Sequence, residues 1–533
     1  MKYTLLIKGA MVVDGTGQPS YRGDLATKDD RIVAVSPSIV GAGEKIIEAE
    51  GLAVAPGFID IHSHIDRSIF KNPLAESKIF QGVTTDVAGN CGIGVFPVNP
   101  RWKEILTDYL KMHSFHLPSE GITWTDFAQY ADRVDRLGLG LNIVPLVSHG
   151  ALRIAVMGAE NRAPEPSELA RMQELLQTNL KQGAWGMSTG LIYPPGIFSK
   201  TEELVALAKI VARFQGLYAS HIRGEGETLF QGLDEAIHIG RESGVRVEVA
   251  HLKAMGRENW GRGQEILDKL EEARKGGVDI TGDQYPYEAT STSLSALIPQ
   301  WVHDGGVEEM LKRLAAGEFR EKVRKEILQS ILFRGGPERI LVAGVMSSRH
   351  KELVGKNIAR VAQLWKTTPE DAVVRLVLEN RGGVRAIYFT LSERDVETIV
   401  ASEKVAVGTD GDGFNALKDV ASSPHPRSYG TFPRVLGLYT REKGLLSLPM
   451  AVHKMTGLPA SRLGLSDRGL LRPGWAADLV LFDPAHIQDR SRFDHPHQYP
   501  EGIPYVVVNG HPVIWEGELT GNTPGRVLRK KAV

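Results

Sequence analysis

The sequence has almost no cysteine. Cys91 is the single cysteine among 533 residues, so the chain cannot form an internal disulfide. Chains without disulfides are typical of reducing compartments, and we therefore expect a cytoplasmic protein. The lone thiol needs its own explanation, either as a small buried apolar residue or as a functional group.

Long apolar runs and an excess of one charge are missing too. No stretch approaches the roughly 18 apolar residues of a membrane span, and Met1–Ile7 lacks the features of a signal peptide. The formal net charge is −1, which gives no reason to expect nucleic acid or an anionic membrane as a partner. The sequence does not indicate an oligomeric state.

The two ends of the chain share one sequence pattern. Residues 1–55 and 466–533 both carry short, partly alternating apolar runs separated by glycine-bearing turns, which is typical of β-strands. Neither end is long enough to bury a core alone. We therefore predict that they pair into one small β-sandwich domain, against the alternative of two independent tails.

The middle of the chain, residues 56–465, alternates apolar runs with helical patterns. Eight runs resemble strands: Leu52–His62, Val83–Ala88, Leu141–Ser148, Ala184–Ser188, Gly216–His221, Val245–His251, Val278–Tyr285 and Lys404–Thr409. Eight strand–helix repeats predict an α/β fold, a (β/α)8 TIM-like barrel whose active site lies at the carboxyl ends of the strands.

One interval in this rhythm is too long. More than a hundred residues separate the seventh run from the eighth. We predict that residues 288–350 form an insertion over the barrel mouth and act as an active-site lid, although an appendage that only adds stability would give the same interval.

Metal-binding residue types follow five of the eight runs. The first run ends in His62 and His64, Cys91 follows the second, His221 and His251 end the fifth and sixth, and Asp410 follows the eighth. Singly, each has an ordinary explanation as a core histidine, a buried thiol or a turn. Because parallel strands of a barrel end on one side, the combination predicts a shared metal site.

This set of side chains suits a particular chemistry. Imidazole and thiolate ligands favour zinc, and a carboxylate completes the set. Zinc lowers the pKa of water to near neutrality, and an unprotonated Asp410 could take the proton and return it to a leaving amine. The residues therefore predict hydrolysis of a C–N amide bond.

These residues carry a family resemblance. Pro56–His64, with the later histidines and Asp410, resembles the amidohydrolase superfamily, most binuclear members of which bridge two metals with a carboxylated lysine on the fourth strand. Here the fourth run, Ala184–Leu191, has no lysine, and Gly89–Gly92 carries a cysteine instead. That exchange resembles the N-acyl-D-amino-acid deacylases (D-aminoacylases). Matching stretches cover nearly the whole chain: Ser188–Tyr193, His221–Glu225, His251–Lys253, Asp283–Tyr287, His425–Arg427, Gly430–Arg434 and Ala477–Val480.

The resemblance implies a role for each metal-binding candidate. One zinc would be held tightly, a second position would be weaker, and one zinc would suffice for activity. The tight ligands would be Cys91, His221 and His251; the weaker position would use His62, His64 and Asp410, with Cys91 able to bridge. Asp410 would also be the general base and acid.

The resemblance also implies substrate contacts. Lys253, Tyr285 and Arg427 match positions that hold the α-carboxylate of the substrate, and Tyr193 matches a residue near the scissile carbonyl. Two cations and a hydroxyl suit a carboxylate. Solvent-exposed loop cations and aromatic side chains that only pack in the core would give the same sequence pattern. We interpret Glu225 and His149, near other strand ends, as supports that orient ligands.

The expected small-molecule substrate is an N-acyl-D-amino acid, cleaved to a carboxylate and a free D-amino acid. Family members specific for acidic side chains place an arginine after the seventh strand, where this chain has Ala289–Leu294 with Ser293 in the equivalent place. Without a cation, a buried second carboxylate would be costly, which predicts neutral, apolar side chains.

Two other functions remain open from the sequence. A cyclic-amide hydrolase of the dihydroorotase or hydantoinase kind would share the barrel and the histidine pair, but such enzymes usually carry the bridging lysine. A metal-free scaffold protein could use the same barrel, but such proteins tend to have lost ligands, and here the full set is present.

Overall fold

A computed structural model describes residues 2–316 and 318–531. The β-strands are β1 Lys2–Val12, β2 Tyr21–Lys28, β3 Arg31–Ser36, β4 Ala42–Glu48, β5 Ala53–Pro56, β6 Phe58–Asp60, β7 Val83–Ala88, β8 Asn142–Pro145, β9 Val147–Ser148, β10 Gly186–Gly190, β11 Leu217–His221, β12 Arg246–Val249, β13 Ile280–Gln284, β14 Thr290–Ser293, β15 Ile340–Val345, β16 Val384–Tyr388, β17 Val405–Val407, β18 Leu479–Phe482, β19 Tyr505–Val508, β20 His511–Trp515 and β21 Glu518–Leu519.

Helices connect most of the strands. They are α1 Glu76–Ile79, α2 Lys103–Met112, α3 Phe127–Asp135, α4 His149–Met157, α5 Pro166–Lys181, α6 Thr201–Arg213, α7 Leu229–Ser243, α8 Gly263–Lys275, α9 Val307–Ala315, α10 Arg320–Phe333, α11 Ile358–Trp365, α12 Pro369–Glu379, α13 Glu393–Val400, α14 Arg427–Arg434, α15 Leu448–Met455 and α16 Gly457–Leu463, with a π-helix at Val435–Glu442. Side-chain caps begin several of them, as where Thr368 accepts a hydrogen bond from the Asp371 amide.

The two chain ends meet in one sheet. Strand β18 pairs antiparallel with β5, so the C-terminal strands β18–β21 continue the N-terminal strands. Together the chain ends form the predicted additional β-domain, in which the hydrogen bonds join nine strands into one branched sheet. The branch arises because β1 pairs with β2, β4 and β5, and Leu5, Val54 and Leu479 share the core that this sheet encloses.

The eight predicted barrel runs all contain strands, arranged in two parallel sheets. One has the order β17-β13-β12-β11-β10-β9, and the other β6-β7-β8. The third run is divided at Leu146 between β8 and β9. Among the described residues, the loops that follow β6 and β17 are joined by one parallel bridge, between Ser63 and Gly411. The strands follow the order of an α/β barrel, with two interruptions in its ladder of hydrogen bonds.

The insertion between β13 and β17 is longer than predicted. Strands β14, β16 and β15 form a three-stranded antiparallel sheet, with helices α9 to α12 beside it. Because β16 pairs with β14, the insertion extends to Tyr388 rather than ending at residue 350. In the part of the chain that the structure describes, no helix is long and apolar enough to cross a membrane.

Candidate metal centre and active site

The predicted metal ligands converge at the carboxyl ends of the barrel strands. His62, Cys91, His251 and Asp410 each offer a ligand atom, and these atoms all lie within 4.8 Å of one another. All four side chains are buried. His62 follows β6 instead of lying on it, because that strand ends at Asp60. From this loop, His62 Nε2 lies 3.6 Å and His64 Nε2 lies 3.0 Å from Asp410 Oδ1.

A second group overlaps the first. His221, Glu225 and His251 also offer ligand atoms within 4.8 Å of one another, so His251 belongs to both groups. His64 Nε2 lies 3.0 Å from Asp410 Oδ1. Cys91 therefore groups with His62 and Asp410, and Glu225 lies beside His221; the implied division into a tight and a weaker position stays a prediction.

The thiol lies between imidazoles. Cys91 Sγ is 3.3 Å from His62 Nε2 and 3.4 Å from His251 Nε2. Burial alone would raise the pKa of this thiol, but the neighbouring histidines hold it well below its ordinary value. A thiolate at this point is the form that coordinates a metal. This geometry favours a functional thiol over the inert buried residue that the sequence left open.

Asp283 contacts two of the candidate ligands, a role that the sequence analysis did not assign to it. Its Oδ2 lies 3.1 Å from His62 Nδ1, and its Oδ1 accepts a hydrogen bond of 2.9 Å from the His251 amide. One carboxylate therefore orients the ring of one ligand and fixes the backbone of another. Its position near the end of the seventh run, in the matching stretch Asp283–Tyr287, was the available signal.

Lys253 and Arg427, the two cations that were predicted to hold the substrate, each lie against a carboxylate of the site. Lys253 Nζ lies 2.5 Å from Glu225 Oε1, and Arg427 Nη1 lies 2.8 Å from Asp410 Oδ2. Glu225 also contacts His251 Nδ1 at 3.0 Å. Glu225 thus connects a histidine ligand to a lysine, in keeping with the orienting role expected of it.

The two tyrosines lie on the same cavity. The Tyr285 hydroxyl is buried and has no hydrogen-bond partner among the described residues, while the Arg427 guanidinium lies 4.5 Å from the centre of its ring. Tyr193 Oη is 2.7 Å from Thr292 Oγ1 on the insertion. A free buried hydroxyl costs free energy unless a ligand satisfies it, so Tyr285 points to a polar ligand group.

The insertion encloses the site. An inner cavity of about 50 Å³ is lined by Cys91, His221, Tyr285 and Asp410 and also by Thr292 and Arg334 of the insertion. An outer cavity of about 700 Å³ adjoins it and shares Tyr193, Glu225 and Arg334. His149 contacts Glu203 Oε1 through Nε2 at 2.8 Å and belongs to neither ligand group.

The family assignment follows from comparison with known proteins. A profile of the amidohydrolase family matches residues 45–320 and 397–514. The chain belongs to this family.

Characterised relatives place it more closely. It is 37% identical to a D-aminoacylase of Alcaligenes xylosoxydans xylosoxydans, over 99% of this chain and 98% of the relative. An N-acyl-D-aspartate deacylase from the same organism is also 37% identical, over 98% and 94%. The crystal structure of N-acyl-D-glutamate deacylase from Bordetella bronchiseptica, complexed with zinc and a phosphonate inhibitor, has a TM-score of 0.84 at 34% identity and covers 99% of this chain and 100% of that one.

These matches show the fold family and the enzyme class. The chain resembles the N-acyl-D-amino-acid deacylases within the amidohydrolases and is an enzyme acting on linear amides. The (β/α)8 barrel family predicted from the eight runs is confirmed, together with an additional sheet domain.

The side chains of this amidohydrolase fit a zinc ion. Both ring nitrogens of His221 and Nδ1 of His64 are buried without hydrogen-bond partners among the described residues. Such nitrogens, beside a thiolate and a carboxylate, form a donor set typical of zinc.

Sequence reasoning missed Arg334, because nothing in its helical surroundings indicates that it reaches the cavity.

Proposed function

We propose that this amidohydrolase cleaves the amide bond of N-acyl-D-amino acids with neutral, apolar side chains, releasing a carboxylate and a free D-amino acid. The observation that carries the proposal is one enclosed cavity that combines a zinc-type donor set with cations and a free tyrosine hydroxyl. The relatives named for D-amino-acid substrates support the stereochemistry.

Zinc would be the cofactor. Cys91, His221 and His251 would hold the tight ion, and His62, His64 and Asp410 would offer a weaker position. When bound, zinc would polarise the amide carbonyl and make water a stronger nucleophile near neutral pH. Asp283 and Glu225 would keep the histidine rings in position through the contacts described above.

Asp410 would move the proton. Burial would raise the pKa of this carboxyl, but Arg427 and the nearby histidines hold it well below its ordinary value, so Asp410 is ionised at neutral pH. It could accept a proton from the attacking water and then donate it to the leaving amine nitrogen. Its 2.8 Å pairing with Arg427 weakens it as a base in the free enzyme.

The substrate itself would relieve that weakness. Its α-carboxylate would compete with Asp410 for Arg427 and with Glu225 for Lys253, while the free hydroxyl of Tyr285 would donate a hydrogen bond to it. Withdrawal of the Arg427 charge would raise the pKa of Asp410 when substrate is in place. Binding would thereby activate the base, which gives the α-carboxylate a role in kcat as well as in KM.

The surroundings of Ser293 support a neutral side chain. Ser293 lines the outer cavity with the apolar side chains of Met112, Ile298 and Phe333. Its hydroxyl oxygen lies 2.7 Å from that of Ser295, so the two hydroxyls satisfy each other. The segment Ala289–Leu294 has no cation for a second carboxylate at this point; the cation on the outer cavity, Arg334, comes from the end of α10.

The test is a substrate panel. Purified enzyme, with and without added zinc, would be assayed on N-acetyl-D-leucine, N-acetyl-D-methionine, N-acetyl-D-glutamate, N-acetyl-L-leucine and a hydantoin. We expect zinc-dependent hydrolysis of the neutral D-substrates only. A preference for glutamate would refute the neutral side chain, and turnover of the L-substrate or of hydantoin alone would refute the proposed reaction.

A further inference from the structure

Arg334 is a cation of the insertion that reaches both cavities. It follows the last residue of α10 and lines the inner cavity together with Cys91 and Asp410, and it also lines the outer cavity. Its Nη1 donates to the carbonyl oxygen of Ser330 at 3.1 Å and to the Ser330 hydroxyl at 2.6 Å. Its guanidinium lies 5.4 Å from the centre of the Tyr388 ring.

Its charge sets Arg334 apart from the other cations around the site. Among the described residues, no carboxylate lies within 4.0 Å of its guanidinium. The other cations of this region are each paired: Arg67 with Asp412 at 3.3 Å, Lys253 with Glu225 at 2.5 Å, and Arg427 with Asp410 at 2.8 Å. The positive charge of Arg334 is therefore the one that the protein leaves uncompensated at this cavity.

An uncompensated charge in an enclosed place favours an anionic ligand. Burial lowers the pKa of the Arg334 guanidinium, with Tyr388, Tyr193 and Glu225 acting against that shift. Its Nε and Nη2 make no hydrogen bond with the described residues, so one edge of the planar fork is available. That edge has the spacing of a carboxylate and can bind it through two parallel hydrogen bonds.

We propose that Arg334 binds a second carboxylate of the substrate, one that is distal to the scissile amide. The inference rests on the proposed function, in which Lys253, Tyr285 and Arg427 already serve the α-carboxylate. The outer cavity of about 700 Å³ leaves room for a longer substituent than an acetyl group. With a neutral group near Ser293, the acyl chain is the expected source of this carboxylate; an acidic side chain is the other source.

The experiment compares three substrates that differ in where a second carboxylate lies. N-acetyl-D-leucine has none, N-succinyl-D-leucine has one in the acyl chain, and N-acetyl-D-glutamate has one in the side chain. In Arg334→Met we expect kcat/KM for the succinyl substrate to fall about 10- to 100-fold, the size of a lost charge-assisted interaction. For N-acetyl-D-leucine it should change less than about 3-fold. Arg334→Lys should recover part of the loss.

The matched control is Arg320→Met. Arg320 is an exposed arginine of the same helix α10, facing Asp371 at 3.5 Å and not the cavities. It should leave all three substrates unchanged. A loss confined to N-acetyl-D-glutamate would support the proposal with the side chain as the source.

Two outcomes would overturn the role of Arg334: equal losses on all three substrates, or no loss on either dicarboxylate. Calorimetric binding of N-succinyl-D-leucine to the zinc-loaded enzyme and to Arg334→Met gives a readout that needs no turnover. If the unmodified enzyme hydrolyses none of the three, the proposed function fails. Binding that weakens 10-fold or more in Arg334→Met would then still support the role of Arg334, and equal binding would refute it.

Discussion

Replacing Lys78 by methionine should destabilise the barrel more than the same replacement of an exposed lysine. Lys78 Nζ lies 2.7 Å from Asp60 Oδ2 and 3.4 Å from Asp86 Oδ2, and the side chains of all three are fully buried. The ammonium also donates to Ser63 Oγ at 2.9 Å and to Thr409 Oγ1 at 2.5 Å. This cluster joins the β6 and β17 regions, where the barrel ladder is reduced to a single bridge.

The size of the effect follows from the charges left behind. Methionine fills a similar volume, so little apolar contact is lost, but two buried carboxylates remain without their cation. Removing one partner of a buried ion pair costs about 3–5 kcal/mol. The lower end applies here, because burial raises the pKa of Asp86 to about 7 and Asp60 keeps hydrogen bonds from the Thr409 amide and hydroxyl. We expect about 3 kcal/mol.

Urea unfolding at pH 7, followed by circular dichroism, would measure this cost. Lys71→Met is the matched control, because Lys71 pairs with Asp419 at a half-exposed position and should change the free energy of unfolding by less than about 1 kcal/mol. The double variant Lys78→Met/Asp86→Asn should recover part of the loss. If the free energy of unfolding of Lys78→Met lies within 1 kcal/mol of that of the unmodified protein, the buried charges do not act as described.

Three further predictions concern the site and its support. Cys91→Ala should reduce bound zinc, measured by mass spectrometry, and lower kcat/KM at least 100-fold; full activity would refute the thiolate ligand. Asp410→Asn should lower kcat about 100- to 10,000-fold while substrate binding persists, and a small change would exclude it as the base. Burial raises the pKa of Glu248 to about 7, so its protonated form contributes stability below about pH 4.5 that is lost as the pH rises through 7. Between pH 4.5 and 7, the free energy of unfolding of the unmodified protein should fall by about 3 kcal/mol relative to that of Glu248→Gln. Parallel pH profiles of the two unfolding free energies would contradict this.

The sequence predicts this site well where a functional side chain lies at or just after the end of an apolar run. Cys91, His221, His251 and Asp410 each stand at or just after such a run, and strand order alone brings those positions to one end of a barrel. The same logic gives the pairing of the chain ends, since neither end can bury a core alone. Residues of this kind need only local periodicity and a topological rule.

Other features depend on contacts that no local pattern encodes. Arg334 reaches the cavity through the fold of the insertion, and Lys78 meets Thr409 across 331 positions of the chain. The insertion was predicted too short because its third strand, β16, follows two helices and pairs back with β14. Register between distant strands is decided by tertiary packing, so neither its bounds nor its cavity-facing side chains could be read from sequence.

The backbone of the site shows how the chain holds its ligands in place. Cys91, His251 and Asp410 all have positive φ angles, of 53°, 35° and 48°, a conformation that side chains other than glycine adopt at a cost. Neighbouring strands secure two of them: the Asp410 amide donates to the His62 carbonyl at 2.7 Å, and the His251 amide donates to Asp283 at 2.9 Å. Because these hydrogen bonds come from adjacent barrel positions, the barrel itself fixes the strained backbone that positions the ligand atoms. An Asp283→Ala variant that keeps its fold should therefore weaken zinc binding without removing a ligand, as measured by competition with a chelator.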